Sequence, residues 1–484
     1  MSRKYHSMQF NAFLNAIKTA LSIAFPLITY PYAFRVLHAE NIGKVNFAAS
    51  IESYFALIAA LGFSTYAIRE GSKVRENQKK FNEFASDIFS LNVCSVIISF
   101  TLEFLVLFII PYLHDYRLLI IIQSTAIIFT TIGMDWINSV YEDFVYITIR
   151  TIIANIISMI CLFVFVHKPE DYYIYAFLTA LTQAIICISN VAYYRKRTKI
   201  TFGLPSRVLV HIKPVLTLFM NNIALSIYVN SDTTMLGWFS GDYYVGIYAL
   251  SVKVYTVIKN MISAIYSVTI PRISIYLSEN NDEKVRNIYS GICSEIIVIL
   301  LPASAGLLSI SDEIVLLMGG QEYLESSLTL KILSISLVGA ILGGLATFCM
   351  NIPLGKEKIN VEATSLSALI NILLNFLMIP VLMHNGAAIT TAISEFFVFF
   401  YCIIRNKKIL EYIDRKIIKK SLFSAGIGVV TVFLVSFITH QIFSYNMLSM
   451  LVIIALSVLF YFAELIFLKN ELVLSIVNKI RVKK

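Results

Sequence analysis

Long apolar stretches follow one another along almost the whole chain and are separated by short polar connections. They begin near residues 10, 42, 84, 117, 145, 172, 210, 244, 288, 328, 361, 386, 422 and 446. A helix needs about 20 mostly apolar residues to cross a bilayer, whereas a strand of a membrane barrel would show about 10 alternating residues. The segment lengths therefore predict an all-α membrane protein with about 14 transmembrane helices.

The first twelve predicted spans fall into two related halves. A short loop precedes Ile42-Gly43 at the start of span 2, and Val245-Gly246 occupies the same place in span 8. Paired halves are a common plan among transporters, with the substrate site between them. We therefore expect two pseudo-symmetric six-helix lobes and two further C-terminal helices. The predicted boundaries are 1–200 for spans 1–6, 201–405 for spans 7–12, and 406–484 for a basic interfacial segment with spans 13 and 14.

The composition favours a membrane protein over a soluble one. Hydrophobic residues make up 58% of the 484-residue chain and charged residues 14%, whereas a soluble domain carries about 25% charged residues. So few charges cannot cover the surfaces of several globular domains. Soluble enzymes, nucleic-acid-binding domains, disordered proteins and disulfide-rich scaffolds are therefore disfavoured.

The basic residues are distributed unevenly over the connections between spans. If the N-terminus is cytoplasmic, about 30 of the 39 lysines and arginines fall in cytoplasmic segments and about five in outer ones. The positive-inside rule requires this asymmetry of a multi-pass protein in the bacterial inner membrane, here with both termini in the cytoplasm. The net charge of +9 then reflects topology and contact with anionic membrane lipids, and no nucleic-acid partner is expected.

Motifs for several kinds of chemistry are missing from the sequence. The six cysteines lie in apolar runs without CxxC spacing and the seven histidines are scattered, so we expect no metal site and no bound cofactor. The sequence has no GxxxxGK[ST] motif, so the chain is not expected to be an ATPase. A polytopic glycosyltransferase or polymerase generally needs a large external loop, and the predicted outer connections are short. A transporter is therefore favoured over an enzyme.

Polar residues recur at helical spacing within otherwise apolar spans, and two of these polar faces carry lysine. Span 1 has Asn15 and Lys18, span 7 has Asn222, and span 8 has Lys253 and Asn260. Hydrogen bonds between helices would explain such faces, and a lysine can also extend to the membrane surface. An unpaired charge inside the membrane is costly, so we favour a shared cationic cavity. There the ammonium groups would bind phosphate and the amides would bind sugar hydroxyls.

Three further basic residues extend this set. Lys259 lies beside the polar face of span 8, Arg35 is expected at the outer mouth, and Arg150 lies near the start of span 5, where it could also extend to the surface. The candidate substrate-binding residues are Lys18, Lys253, Asn15, Asn222, Asn260, Lys259, Arg35 and Arg150.

Acidic residues inside the predicted spans are candidates for ion coupling. Asp135 lies in a polar face with Thr131 and Asn138, and Asp232 adjoins Asn230 and Thr233. Intramembrane carboxylates carry protons or coordinate sodium in many transporters. Ion pairing with the intramembrane lysines and arginines is the alternative explanation. We favour Asp135 and Asp232 as coupling residues, with H+ or Na+ as the coupling ion.

Three stretches resemble the Wzx-type polysaccharide flippases of the multidrug/oligosaccharidyl-lipid/polysaccharide exporter superfamily. They are FPLITYPYAFRVLHAENIGKVNFAASI in spans 1 and 2, NSDTTMLGWFSGDYYVGIYALSVKV in spans 7 and 8, and LSISDEIVLLMGGQEYLESSLTLKIL between spans 9 and 10. The resemblance implies two six-helix lobes around a central cavity that opens alternately to each side. It also implies a substrate, an oligosaccharide on polyprenyl pyrophosphate, that moves from the cytoplasmic to the outer leaflet.

One feature departs from related flippases. In the lipid II flippases, cationic residues on spans 1, 2 and 8 line the cavity. Lys18 and Lys253 match spans 1 and 8, but span 2 has no matching arginine and carries Lys44 near its outer end and Glu52 inside it. The contacts with the substrate headgroup are therefore expected to differ.

The expected function is a flippase for the lipid-linked repeat unit of an O-antigen, a capsule or a similar polysaccharide. A multidrug or cation antiporter of the same superfamily is the first alternative, and a membrane glycosyltransferase or polymerase is the second. A nontransporting structural partner of an assembly complex is a third. Polysaccharide polymerase or assembly proteins are candidate protein partners of the flippase.

Overall fold

The computed structural model describes residues 8–203, 208–278, 282–468 and 470; the side chains of residues 8–24 and of a few later residues lie outside the described part. Every regular element in these residues is helical, and no strand occurs among them. Contacts divide the chain into two compact units, Met1–Gly237 and Trp238–Lys484. The protein is therefore all-α, as predicted.

The first unit contains eight α-helices and two short 3-10 helices in the described residues. In chain order they are α1 (Met8–Ala60), α2 (Phe63–Val74), α3 (Gln78–Ile109), a 3-10 helix (Pro111–Tyr116), α4 (Arg117–Gly133), α5 (Trp136–Val140), α6 (Phe144–Phe165), a 3-10 helix (Pro169–Asp171), α7 (Tyr172–Tyr194) and α8 (Val208–Ser240), the last of which ends just beyond the unit boundary.

The second unit contains the remaining described helices. They are α9 (Asp242–Ser278), α10 (Asp282–Ser309), α11 (Ser311–Gly319), a 3-10 helix (Gln321–Tyr323), α12 (Ser326–Gly344), a π-helical turn (Leu345–Asn351), α13 (Glu357–Arg405), α14 (Lys408–Glu411), α15 (Arg415–Ile442) and α16 (Met447–Phe467).

Two of the long helices turn sharply at a single residue. His38 in α1 has φ 64° and ψ 166°, and Met383 in α13 has φ 53° and ψ −130°. Spans 1 and 2 are therefore both parts of α1, and spans 11 and 12 are both parts of α13. Twelve helices in the described residues are long and apolar enough to cross a membrane, and these turns lie within two of them. The count of 14 spans, the cytoplasmic termini and the lobe boundaries stay predictions.

An aromatic cluster joins several helices at one end of the first unit. Phe81 of α3 and Trp136 of α5 are buried, with ring centroids 6.2 Å apart. Tyr66 of α2 belongs to the same buried cluster, and its hydroxyl lies 2.9 Å from Nδ1 of His211 in α8. The short helix α2 is thus held by the buried cluster and by a hydrogen bond to the start of α8.

Small residues bring α12 and α13 of the second unit into close contact. A methyl group added to Gly339 of α12 would lie 2.9 Å from the backbone nitrogen of Phe396 in α13. Within α13, Ser367 donates a hydrogen bond of 2.9 Å to the carbonyl of Ser394, across the turn at Met383. Close backbone approach and polar side chains take the place of a hydrophobic driving force between helices in lipid.

The last two long helices pack together and contact α10. A methyl group on Gly428 of α15 would lie 2.3 Å from the ring of Tyr461 in α16. The hydroxyl of Tyr461 donates a hydrogen bond of 2.8 Å to the carbonyl of Val298 in α10. The pair α15–α16 is therefore part of the second unit, and Tyr461 is one of the side chains that join it to α10.

The α12–α13 contact gives a first prediction. We expect Gly339→Ala to destabilise the protein by about 1–3 kcal/mol, because the added methyl group overpacks a contact with backbone atoms, which cannot move aside. The matched control is Gly426→Ala in α15, where nothing lies within 4 Å of the added methyl group. Thermal unfolding of the purified protein in detergent measures the difference. Equal melting temperatures for the two variants would contradict this packing.

Candidate functional site

The predicted residues at the start of the chain can be placed only in part. Asn15 and Lys18 belong to α1, but their side chains lie outside the described residues. Arg35 lies in α1 three residues before the turn at His38, and its side chain is exposed. A cationic cavity that contains Lys18 therefore stays a prediction.

Arg150 and Asp135 form an ion pair in the first unit. Arg150 of α6 is 5% exposed and its guanidinium donates to the carboxylate of Asp135, which precedes α5. The amide of Asn190 also donates to Asp135 at 3.3 Å and accepts a hydrogen bond from Asn138. The guanidinium lies 5.6 Å from the ring centre of Tyr146. Arg150 is thus buried and paired with the proposed coupling acid rather than exposed at a helix end.

Lys259 is the ion-pair partner of a buried glutamate in the second unit. Its Nζ lies 2.6 Å from Oε1 of Glu395 in α13, and the carboxylate also accepts a hydrogen bond of 3.2 Å from Tyr255. The lysine lies 5.5 Å from the ring centre of the same tyrosine. A negatively charged substrate would have to compete with Glu395 for this lysine.

The remaining predicted residues lie on α8 and α9. Lys253 is half-buried and Asn260 is exposed, both on α9. Asn222 of α8 is half-buried and lies beside Gly62, and Asp232 of α8 is buried. The structure thus brings Arg150 and Asp135 together. A binding site shared by Lys18 and Lys253 stays a prediction.

Two asparagines in the first part of α13 bond to each other and to the part of α13 after the turn at Met383. The Asn375 amide donates to Oδ1 of Asn371 at 3.1 Å, and the hydroxyl of Thr390 donates to Oδ1 of Asn375 at 2.5 Å. All three side chains are buried. Hydrogen bonding between the two halves of α13 therefore accounts for these residues, in agreement with the simpler interpretation of polar faces.

A large apolar cavity lies within the second unit, between α9, α10, α11, α15 and α16. It has a volume of about 670 Å³, and its walls include Ile258, Pro302, Gly306, Ile314, Val432 and Val458. Its lining is almost entirely apolar, so the cavity suits a hydrocarbon chain rather than an ion or a sugar. No local sequence pattern reveals this cavity, since the small residues Pro302, Ala303 and Gly306 in α10 become a cavity wall only when four other helices are placed around them.

The short helix α11 contributes Ile314 to the wall of this cavity and is held by charged contacts. Glu313 is fully buried, with Oε1 2.5 Å from Nε2 of His440 at the end of α15. Asp312 pairs with Lys331 of α12 at 2.8 Å and also accepts a hydrogen bond from Ser327. These bonds join α11 to α12 and α15.

The Asp312 carboxylate is charged at neutral pH. Burial opposes its ionisation, but the hydrogen bonds from Lys331 and Ser327 and the lysine charge together lower its pKa below the usual range. A group with a depressed pKa stabilises the folded state above its pKa in the unfolded chain. That contribution is lost as the pH falls through the lower pKa of the folded state. The anchoring of α11 is therefore fully present at neutral pH.

The chain matches a known protein family over more than half of its length. The family described as "Polysaccharide biosynthesis protein" matches residues 10–277, more than half of the chain. The chain belongs to this family. Two relatives named "Putative O-antigen transporter" are 25% identical over 421 residues, in Escherichia coli K12, and 24% identical over 390 residues, in Shigella dysenteriae. The matches cover 84% and 78% of this chain and 98% and 94% of the relatives.

Two solved structures of other transporters have a fold similar to that of this chain. A lipid II flippase, MurJ, in an inward closed conformation has a TM-score of 0.75 at 16% identity, over 95% of this chain and all of that chain. An inward-facing multidrug resistance MATE transporter of the MOP superfamily has a TM-score of 0.58 at 16% identity, over 80% of this chain and 99% of that chain. The chain is therefore a multi-pass membrane protein with the fold of these two transporters.

The buried pair of Lys259 and Glu395 gives a second prediction. We expect Lys259→Met to destabilise the protein by about 1–3 kcal/mol, because it leaves the Glu395 carboxylate buried without its cation. Adding Glu395→Gln should restore most of this loss, since the neutral amide needs no counter-charge. Thermal unfolding of the single and double variants makes the comparison. If the destabilisation of the double variant equalled the sum of the destabilisations of the two single variants, the pair would not stabilise the protein.

Proposed function

We propose that this protein is a flippase that moves an oligosaccharide linked to polyprenyl pyrophosphate across the bacterial inner membrane by alternating access. Membership of the polysaccharide biosynthesis protein family and the two O-antigen transporter relatives support this function. Such a transporter moves its substrate without a chemical reaction, so the chain is not an enzyme. The substrate would be the repeat unit of an O-antigen, a capsule or a similar surface polysaccharide.

The apolar cavity between α10, α15 and α16 is the single structural observation that carries this proposal. A lipid-linked sugar has two parts, and its long hydrocarbon chain needs an apolar surface while the headgroup crosses the membrane. The cavity lies beside the C-terminal helices and is lined by side chains such as Ile258, Val432 and Val458. A flippase for a lipid substrate needs such a surface, whereas a transporter of small cations does not.

The pyrophosphate and the sugars would bind the polar residues predicted from the sequence. Among the candidate cations, Arg150 and Lys259 are each paired with a carboxylate. An anionic headgroup would have to displace these partners. Lys18 and Lys253 are proposed to bind the pyrophosphate because the sequence places them on polar faces of spans 1 and 8. Asn222 and Asn260 would then hydrogen-bond the sugars, with Arg35 at the outer mouth.

Transport would be coupled to an ion gradient through Asp135 or Asp232. Asp135 is held by Arg150, so protonation of this carboxylate would release a buried arginine. Asp232 is buried within α8. H+ and Na+ are the candidate ions. Both termini would face the cytoplasm. Polysaccharide polymerase or assembly proteins would receive the transported oligosaccharide.

Lys253 gives a prediction about the headgroup. We expect Lys253→Ala to reduce polysaccharide display on cells at least about tenfold at equal protein level, because the ammonium charge for the pyrophosphate is lost. Lys253→Arg should retain a substantial part of the activity, since it keeps the positive charge. Full display by the alanine variant would remove Lys253 from the site. Increased drug resistance on overexpression, without any defect in display on deletion, would favour the antiporter alternative.

The apolar cavity gives a prediction about the lipid chain. We expect Gly306→Phe to reduce display about tenfold or more, because the ring would fill part of the cavity. The matched control is Gly426→Phe, at an exposed position of α15 with nothing within 4 Å. Protein levels and melting temperatures show whether both variants are folded. Normal display by a folded Gly306→Phe variant would contradict a role for this cavity.

A further inference from the structure

Helix α8 belongs to the second half of the chain by sequence repeat but to the first compact unit by contacts. The repeat that matches Ile42-Gly43 with Val245-Gly246 makes α8 the counterpart of the first part of α1. The unit Met1–Gly237 nevertheless includes almost all of α8. A helix of this kind joins the two halves of the sequence, and transport would break some of its contacts within the first unit.

One of these contacts depends on the absence of a side chain. A methyl group added to Gly237 would lie 2.2 Å from Cδ2 and 2.7 Å from Cε2 of Phe47 in α1. The Phe47 ring is fully buried and packs edge-on against Tyr112 and Tyr116, with ring centroids 5.9 and 4.8 Å away. The ring cannot move aside, so only glycine permits α8 to approach α1 this closely.

Hydroxyl groups complete the same contact. The hydroxyl of Thr234 in α8 donates to the hydroxyl of Ser50 at 3.0 Å and lies 3.1 Å from the hydroxyl of Tyr54, both in α1. Tyr112 donates a hydrogen bond of 2.7 Å to the carbonyl of Gly237. Neutral hydroxyl bonds between membrane helices are weak and exchange partners easily. The contact is therefore close but can be separated.

The other end of α8 is also attached to the first unit. His211 bonds to the hydroxyl of Tyr66 at 2.9 Å, and a methyl group on Gly62 would lie 2.9 Å from Cβ of Leu218. Helix α8 thus contacts other helices of the first unit near both of its ends. In a transporter that opens alternately to each side, at least one of these two contacts must separate at each opening.

We propose that the contact of Gly237 and Thr234 in α8 with Phe47, Ser50 and Tyr54 in α1 is a gate that must separate for the lipid-linked oligosaccharide to leave. This inference rests on the proposed function for the nature of the cargo. The gate lies in the part of α1 that follows the turn at His38, and the predicted topology places this turn on the outer side of the membrane. Gly237 is a positioning residue, since it allows the closed contact and binds no substrate.

A reversible disulfide tests whether the gate must open. The hydroxyl oxygens of Ser50 and Thr234 are 3.0 Å apart, so two cysteines at these positions lie within reach of a disulfide. A protease site inserted in the mostly exposed connection 199–203 makes the bond detectable. Cleavage there separates the fragment with residue 50 from the fragment with residue 234, and the two stay joined only when the disulfide has formed. The two single cysteine variants control for the six native cysteines.

We expect the Ser50→Cys/Thr234→Cys variant to crosslink on mild oxidation and to lose at least about nine-tenths of its polysaccharide export, with recovery on reduction. Oxidation should leave the export of each single variant unchanged. Failure to crosslink, or full export by the crosslinked protein, would overturn the gate.

Gly237→Ala gives a second test that does not depend on the cargo. It should lower the crosslinking yield of the cysteine pair several-fold, because the methyl group separates α8 from Phe47, whereas Gly426→Ala should leave the yield unchanged. An unchanged yield in Gly237→Ala would contradict the gate. A protein that crosslinks in this Gly237-dependent manner but supports no polysaccharide display would contradict the proposed function and leave the gate intact.

Discussion

The cost of an unpaired polar group in hydrocarbon is the constraint on which the rest of this structure depends. Two cations in the helices accordingly have carboxylate partners inside their own unit. Arg150 pairs with Asp135 in the first unit, and Lys259 pairs with Glu395 in the second. These two cations are therefore held in pairs, and an anionic substrate that engaged either of them would have to replace its carboxylate partner.

The same constraint explains how the helices pack. Lipid supplies no hydrophobic force between helices, so close contact depends on small residues and on hydroxyl or amide groups. Gly339 lets α12 reach the backbone of α13, Gly428 accommodates the Tyr461 ring, and Gly237 accommodates Phe47. Contacts of this type are specific in shape but individually weak, so a helix can leave one partner and return to it. Alternating access requires this property.

The sequence predicted the fold class because the length of an apolar segment is a direct consequence of membrane thickness. It did not predict that α1 and α13 each continue through a single turning residue, His38 and Met383, since neither residue is typical of a turn. The partners in the ion pairs could not be predicted for a different reason. Lys259 and Glu395 are 136 residues apart, and only the packing of α9 against α13 selects this acid. The apolar cavity likewise depends on five helices, and no local pattern reveals it.

The most direct test of the central claim uses purified protein in liposomes that contain a fluorescent oligosaccharide linked to polyprenyl pyrophosphate. A membrane-impermeant quencher reports the fraction of lipid exposed on the outer leaflet. We predict that this protein exchanges the lipid between leaflets, and that the exchange is lost when the apolar cavity is filled. Liposomes in which the lipid stays in its original leaflet, with the protein folded and inserted, would contradict it.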